Sequence, residues 1–464
     1  MFDKLFASYP TLHRVGALIG IALLIQGCSS NPALQGHTVT TPQTPTIQHW
    51  QTSNGANVFF VAAPELPMVD LRVVFDAGSA RDGDKPALAL LTNGLLAEGA
   101  GVLNATEIAK RFEDLGARFS NGSYRDMAVV SLRSLADSEL LNAASDTFAL
   151  LLADPTFPEE SLARESRRLL VALRAEEESL DSLSDNAFYK AIYNDHPYAQ
   201  SPMGTAESIN GIKRDDLKAF YQQHYVARNA VLAIVGSLSR KEAEFLANKV
   251  TSGLSPGEAA QPLVMAPALA SAQTIKIEHP SQQTHIVMGQ PGIERKNPDY
   301  FPLYVGNHIL GGSGLVSRLS EEIREKRGLS YSTYSYFNPM AVNGPYTLGL
   351  QTRNDQASEA IKLLDTVLRN YINEGPTKEE LQAAKQNITG NYPLRIASNS
   401  KIVEYLAAIG FYGLPLDYLE RFNDNVNAVT LEQIRDAFQR HVNPDTMVTV
   451  IAGGESRATT HAAP

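Results

Sequence analysis

The chain has 464 residues, of which 44% are hydrophobic and 19% are charged, and these values are typical of a globular protein with two or more domains. Fifty acidic residues against forty Lys and Arg residues give a net charge of −10, which argues against a protein that binds the nucleic-acid backbone. The single cysteine excludes a disulfide framework, an iron–sulfur cluster and a cysteine-rich zinc site.

Residues 1–27 are predicted to be a signal peptide. Residues 15–25 form an uninterrupted apolar run, which is shorter than the roughly 20 residues of a membrane-spanning helix and typical of a signal-peptide core. The run leads into Gly27 and Cys28, a sequence that resembles the bacterial lipobox, although Gln26 departs from its usual small or aliphatic residue. The resemblance implies that Cys28 is lipidated and becomes the mature N-terminus. The alternative is an ordinary cleaved signal with an incidental cysteine.

Residues 28–46 are predicted to be a flexible tether, because Pro, Thr, Ser and Gln predominate and too few apolar side chains are present to form a core. Ser29 stands where an aspartate would be the usual signal for retention in the inner membrane. By the same resemblance, we expect a periplasmic protein of a Gram-negative bacterium. It would be attached to the outer membrane by its lipid anchor only, without a spanning helix.

From residue 47 onward, strand and helix patterns alternate in two halves that are joined by a linker rich in Pro, Ala and Gly at residues 253–272. The first half (47–252) has strand patterns at 68–75 and 127–132, and helical spacing at 86–97, 105–115 and 161–177. The second half (273–455) has strand patterns at 285–288, 331–337 and 346–351, a helix after Pro302, and a helical pattern at 357–372. Residues 456–464 are expected to form a disordered tail.

The two halves contain an internal repeat. Residues 217–236 align without a gap with residues 434–453, at a constant offset of 434 − 217 = 217. In each copy the end of an amphipathic helix leads through a short connection into a β-branched strand. A repeat of this length indicates two duplicated domains rather than a solenoid. We therefore predict an α+β fold of two homologous domains, each an antiparallel-rich sheet with helices packed on one face.

A glycine-rich segment of the second half is the most informative part of the sequence. Residues 308–331 read HILGGSGLVSRLSEEIREKRGLSY. This segment resembles the second-half signature of the M16 (pitrilysin/insulinase-type) metallopeptidases, and residues 195–198 (DHPY) resemble a recurrent stretch of their first half. The resemblance covers residues 47–454 and implies the M16 metallohydrolase fold.

Active members of that family carry an inverted zinc motif, His-x-x-Glu-His, on a helix of the first half, and a glutamate of a later helix is the third ligand. Here the matching positions are Leu90, Asn93 and Gly94. Leu90 and Gly94 have no donor atom for Zn²⁺, and Asn93 has no basic oxygen that could take a proton from water. No two of the ten histidines are three or four residues apart. The glutamates available on the later helix are interpreted as solvated side chains rather than ligands: Glu165, Glu176, Glu177 and Glu178. We therefore predict that this chain binds no metal and has no cofactor of its own.

Arg324 and Tyr331 match an arginine and a tyrosine that active members use from their second half. The resemblance implies that the two side chains reach a zinc site and donate hydrogen bonds to the peptide substrate and to the oxyanion of the transition state. The alternative is structural: Arg324 would pair with Glu321 or Glu325 on a charged helix, and Tyr331 would fill a strand. The strand with Tyr334, Tyr336 and Phe337 either lines a peptide cleft or simply packs.

Some members of the family are heterodimers in which one subunit carries zinc and the other supplies the arginine–tyrosine pair. The resemblance therefore implies a non-catalytic subunit whose partners are a catalytic M16 zinc peptidase and a peptide substrate, with Zn²⁺ held by the partner. The chain alone is expected to be inactive. The alternative is an envelope scaffold that binds a peptide or a protein and has no role in catalysis. An independent hydrolase has little support, because the sequence has no Gly-x-Ser-x-Gly elbow and no thiol beyond Cys28.

Overall fold

The computed structural model describes residues 45–454. The predicted signal peptide, Cys28, most of the tether and the predicted tail lie outside the described residues. The strands, in chain order, are β1 (Gln48–Gln51), β2 (Asn57–Ala62), β3 (Met68–Phe75), β4 (Gly99–Ala100), β5 (Leu103–Asn104), β6 (Arg118–Ser123), β7 (Ala128–Leu135), β8 (Ala230–Gly236), β9 (Gln273–Ile277), β10 (Ser281–Pro291), β11 (Thr333–Phe337), β12 (Pro345–Arg353) and β13 (Val448–Gly454).

The α-helices alternate with these strands. In chain order they are α1 (Leu88–Gly94), α2 (Ala105–Asp114), α3 (Ser138–Ala153), α4 (Glu159–Glu177), α5 (Leu180–Tyr193), α6 (Ala206–Gly211), α7 (Arg214–His224), α8 (Arg240–Thr251), α9 (Tyr300–Asn307), α10 (Ala357–Glu374), α11 (Lys378–Arg395), α12 (Asn399–Tyr412), α13 (Tyr418–Ala428) and α14 (Leu431–His441). Two π-helical segments, His308–Gly312 and Ser320–Glu325, flank the glycine-rich turn of the second half.

The two large sheets repeat one topology, so the predicted duplicated α+β fold is confirmed. The first sheet has the order β1-β2-β8-β3-β7-β6, and the second, read from its corresponding edge, has the order β9-β13-β10-β12-β11. In each sheet one pair is parallel, β2 with β8 and β13 with β9, and the other pairs are antiparallel. β1 is an extra edge strand that the second sheet lacks among residues 45–454.

Helices of the same half cover one face of each sheet, as predicted. In the first half, alternate strand residues such as Phe60, Leu71 and Leu232 are buried in one apolar cluster with residues of α1, α3 and α7. This period-two burial follows from the alternation of side chains along a strand, which places one set of apolar residues on the helix-covered face.

The opposite face of each sheet is covered by a helix of the other half. α12 of the second half packs against β2, β3 and β8, and α5 of the first half packs against β10 and β13. Gly410 on α12 leaves no room for a side chain, because an added Cβ would lie 2.5 Å from both Phe59 and Val231. Phe188, Ile192 and Tyr193 of α5 are buried with strand residues of the second sheet. The exchange of helices makes residues 45–454 one compact unit.

The segment between the halves has neither helix nor strand from residue 254 to residue 271, yet it is anchored. The backbone of Ala266 exchanges two hydrogen bonds with the side-chain amide of Asn343, at 2.8 and 3.0 Å. The boundaries at 252, 272 and 455 remain predictions. Among residues 45–454, no helix has both the length and the apolar character that crossing a membrane requires.

Candidate functional site

The helix that would carry a zinc motif is α1, and its N-terminus is held by a buried carboxylate. Asp82 accepts hydrogen bonds from the backbone N–H groups of Ala87, at 2.9 Å, and Ala89, at 2.7 Å. Burial of Asp82 raises the pKa of its carboxyl to about 7, although the two backbone donors oppose the shift. Ala87 has a φ of 81°, so the helix begins abruptly at Leu88, later than the predicted start at Pro86.

None of the three motif positions on α1 offers a metal ligand. Asn93 is 1% exposed, and its amide nitrogen donates to Val129 O and to the Tyr225 hydroxyl, both at 3.3 Å. The backbone carbonyl of Asn93 accepts from the Asn121 amide at 2.6 Å. These neutral partners make Asn93 a structural link between α1 and the sheet. Leu90 is half-buried, and Gly94 is exposed with open space where its Cβ would be.

The glutamates of α4 do not complete a metal site either. Glu165 is half-buried, rather than the solvated side chain predicted from the sequence, and it lies in ion pairs with Arg164, at 3.4 Å, and Arg168, at 3.7 Å. Burial raises the pKa of Glu176, which also accepts a hydrogen bond from Asn186. Among residues 45–454, no three His, Cys, Asp or Glu side chains are arranged to hold a metal ion.

Arg324 and Tyr331 lie at the surface of the second half. Arg324 is on the π-helical segment Ser320–Glu325, its side chain is 32% exposed, and its Nε lies 3.5 Å from Glu325 Oε1. A contact of that length between partly exposed groups contributes little to stability. Tyr331 lies two residues before β11 and is 91% exposed, so it fills no core. The neighbouring Leu315 and Val316 of the glycine-rich turn are also exposed.

The tyrosine-rich strand β11 is mostly packed. Phe337 is buried and stacks on Tyr346 with ring centroids 4.1 Å apart. Tyr334 and Tyr336 are half-buried on the opposite face and stack on each other at 5.4 Å. The packing alternative therefore describes these three residues, and Tyr331 alone extends into solvent.

A buried carboxylate between the halves is a feature that sequence reasoning missed. Asp126, two residues before β7, accepts a short hydrogen bond from the Tyr198 hydroxyl, one of 3.0 Å from the Tyr412 hydroxyl and one of 2.8 Å from the Ala341 N–H. Tyr198 belongs to the DHPY stretch, and the other two donors belong to the second half. Burial raises the pKa of Asp126 above its ordinary value. No local pattern marks Asp126, because its partners are distant in sequence.

A second polar contact links the first sheet to the exchanged helix. Arg72 of β3 is buried, and its Nη1 lies 3.3 Å from Glu404 Oε1 on α12. His196 of the DHPY stretch makes local structural contacts: its Nδ1 accepts from the Tyr198 N–H at 3.1 Å, and its Nε2 lies 2.8 Å from Val264 O. Both contacts fix one half of the chain against the other or against the linker.

Comparison with known proteins gives one consistent family. Residues 58–206 match the family model described as insulinase (peptidase family M16), and residues 211–388 match the model described as peptidase M16 inactive domain. A crystal structure of a peptidase M16 inactive domain from Pseudomonas fluorescens is 43% identical, covers 88% of this chain and 98% of its own, and superimposes with a TM-score of 0.86.

More distant relatives have differing names. The non-peptidase homolog YmxG of Helicobacter pylori is 25% identical over 394 residues, which are 84% of this chain and 90% of that protein. Several other bacterial relatives of 23–27% identity are named uncharacterized zinc proteases. The periplasmic protease PqqL of Escherichia coli shares the fold, with a TM-score of 0.72 at 16% identity over 88% of this chain and 45% of its own.

Proposed function

Because the chain belongs to the peptidase M16 family and is a non-catalytic member of it, we propose that it is one subunit of a periplasmic zinc-peptidase heterodimer. The partner is a catalytic M16 subunit that holds Zn²⁺ and the general base. The observation that carries the proposal is the contrast between two sites. Leu90, Asn93 and Gly94 offer no metal ligand, whereas Tyr331 and Arg324 present donors at the surface.

Arg324 and Tyr331 are proposed to act in trans on the partner's substrate. Charge develops on the carbonyl oxygen when zinc-bound water attacks a peptide bond, and a preorganised donor at that oxygen is worth about 2.7–4 kcal/mol. Arginine brings a permanent positive charge and tyrosine a neutral donor on a rigid ring. The exposure of the two side chains supports this role, because a group that serves a second subunit must extend from its own.

A peptide is proposed to bind by strand addition. β6 pairs with β7 only, and its other edge meets no strand among residues 45–454. Its backbone N–H and C=O groups therefore remain able to pair with an extended peptide. β11 is the corresponding edge of the second sheet.

The periplasmic location is proposed from the sequence of residues 1–28, with Cys28 as the lipid acceptor. Lipidation would attach the protein to the outer membrane. Palmitate labelling of the wild-type chain, and its loss in Cys28→Ser, tests this point. Export of an unlabelled wild-type chain would favour the ordinary cleaved signal.

Reconstitution tests the heterodimer. The purified chain alone should contain no zinc by metal analysis and should cleave no peptide. Mixed with its catalytic M16 partner at a one-to-one ratio, it should form a complex of two different chains and increase peptide cleavage. Formation of the complex without any gain in cleavage would favour the scaffold alternative.

A further inference from the structure

The second half contains a counterpart of the helix that carries the degenerate motif. α1 packs against α7, and α9 packs against α14, the helix that the repeat relates to α7. Both helices end near a buried asparagine that donates to a strand carbonyl, Asn93 to Val129 O at 3.3 Å and Asn307 to Ser335 O at 2.8 Å. The two asparagines are 307 − 93 = 214 residues apart. The same offset relates Leu90 to Tyr304 and Gly94 to His308.

The counterpart positions carry polar side chains that the motif positions lack. The Tyr304 residue is 9% exposed, and its buried hydroxyl has no hydrogen-bond partner among residues 45–454. His308 is half-buried and bonds to Asn387 of α11. Burial and the charge of Arg395 lower the pKa of His308 to about 4, so its imidazole is neutral at pH 7.

Arg395 supplies a positive charge to this group. It is the last residue of α11, which packs against α9 and against the π-helical segment His308–Gly312. It is half-buried, forms a hydrogen bond with Tyr405 and lies near the Tyr304 hydroxyl. No Asp or Glu among residues 45–454 lies within ion-pair distance of Arg395. A second guanidinium, that of Arg295, lies over the Tyr300 ring at 4.7 Å, and Tyr300 stacks on Tyr304. The cluster therefore combines positive charge, an unused hydroxyl donor and aromatic walls.

We propose that Tyr304, His308 and Arg395 form a carboxylate-binding site, and that its ligand is the C-terminal carboxylate of a peptide. The guanidinium is a planar fork that matches the two oxygens of a carboxylate, and the Tyr304 hydroxyl can donate to one of them. The site occupies the place in the second half that a zinc site occupies in the first half of active relatives. It would bind an anion, whereas the zinc site binds a cation. The choice of a peptide as ligand rests on the proposed function.

Calorimetric titration of the purified chain tests the site without a partner or a cleavage assay. The probes are acetyl-trialanine with a free C-terminal carboxylate, the same peptide as its C-terminal amide, and inorganic phosphate. We expect the free acid to bind at least tenfold more tightly than the amide. Equal affinity for acid and amide would overturn the proposal, and so would binding of phosphate without binding of the free acid.

Three variants locate the binding. Arg395→Gln should weaken binding of the free acid roughly tenfold to hundredfold, because a charge-assisted hydrogen bond is lost. Arg353→Gln is the matched control, since Arg353 is an exposed arginine of the same half that pairs with Asp355 at 2.7 Å, and it should bind as the wild type does. Tyr304→Phe removes a hydroxyl without a partner, so it should weaken binding by roughly twofold to tenfold without lowering the unfolding temperature.

Undiminished binding in Arg395→Gln would overturn the assignment. A purely structural role of Tyr304 predicts a different result, unchanged affinity in Tyr304→Phe. Because the readout is affinity of the chain alone, a failed reconstitution with a catalytic partner leaves this test intact. Conversely, a failed titration leaves the role of Arg324 and Tyr331 intact.

Discussion

α1 and α9 occupy the same place in the two halves, and their surroundings differ at both ends. At the N-terminus of α1, Asp82 is buried and caps the helix, and its pKa is raised to about 7. At the N-terminus of α9, Asp299 contacts Arg440 and His441, and its pKa is lowered, first by the hydrogen bond from Arg440. At the C-terminal ends, Gly94 of the first half corresponds in position to His308 of the second. One backbone arrangement thus carries motif positions without a charged side chain in the first half and the proposed carboxylate-binding site in the second.

The comparison depends on the two halves forming one unit, and Asp126 is a buried group that accepts hydrogen bonds from both halves. Asp126→Ala would leave the Tyr198 hydroxyl, the Tyr412 hydroxyl and the Ala341 N–H unpaired in the interior. At about 1–3 kcal/mol for each unsatisfied group, we expect a loss of about 5 kcal/mol in the free energy of unfolding. Urea denaturation measures it. Tyr412→Phe, which removes one donor, should cost about 1–2 kcal/mol, and a loss equal to that of Asp126→Ala would contradict this account of the network.

The two N-terminal aspartates should give opposite pH dependences. Asp82 has a raised pKa in the folded state, so its contribution to stability is present below the unfolded pKa of about 3.9 and is lost as the pH rises through about 7. The loss is on the order of 4 kcal/mol. Asp299 has a lowered pKa, so its contribution is present above about pH 3.9 and is lost as the pH falls through its folded pKa.

Urea denaturation at several pH values of Asp82→Asn and Asp299→Asn measures this difference. Asp82→Asn should flatten the decrease in stability between about pH 4 and pH 7. Asp299→Asn should leave the slope of stability against pH unchanged in that range. It should reduce the loss of stability that occurs as the pH falls below about 4. The same pH profile in both variants would contradict the opposite environments of the two carboxyls.

Both asparagines should reject a carboxylate. Asn93→Glu would bring a negative charge next to Val129 O and lose the hydrogen bond to Tyr225. Asn307→Glu would bring a negative charge next to Ser335 O. We expect each change to cost about 2–3 kcal/mol by thermal or urea unfolding. A neutral effect of Asn93→Glu would mean that the position still accommodates the acid of an inverted zinc motif.

The smallest effect is expected at Gly94. An added Cβ meets no atom within 4 Å, and Gly94 is the last residue of α1. Gly94→Ala should therefore stabilise the protein by up to about 1 kcal/mol, because alanine restricts the unfolded chain more than glycine does. A loss of stability in Gly94→Ala would contradict the open space around this position.

Local sequence patterns predicted much of this fold but not the way its halves join. The strand pattern at 68–75 has the bounds of β3, because alternating and β-branched residues are a local signal. The helix predicted at 86–97 is only Leu88–Gly94, because Ala87 leaves helical geometry. The two halves are joined by the exchanged helices α5 and α12 and by the contacts of Asp126 and Arg72. These contacts link residues up to 332 positions apart, and the periodicity of one segment does not show which distant residues it will meet.

The candidate site was predictable only where a motif exists. Leu90, Asn93 and Gly94 could be placed on a helix from the family motif, and Arg324 and Tyr331 from the glycine-rich signature. The cluster of Tyr304, His308 and Arg395 has no motif, because Arg395 comes from the end of α11, two helices after α9. Only the repeated topology of the sheets shows that it lies at the counterpart of the motif.

The most direct measurement is the turnover number of the reconstituted heterodimer with Arg324→Ala or Tyr331→Phe in this chain. We predict a decrease in kcat of about a hundredfold to a thousandfold for Arg324→Ala and a smaller one for Tyr331→Phe, with KM less affected. Arg327→Ala is the control, because Arg327 pairs with Glu322 at 2.7 Å within its own segment, and it should leave kcat unchanged. Normal turnover with both Arg324→Ala and Tyr331→Phe would contradict a catalytic contribution of this subunit.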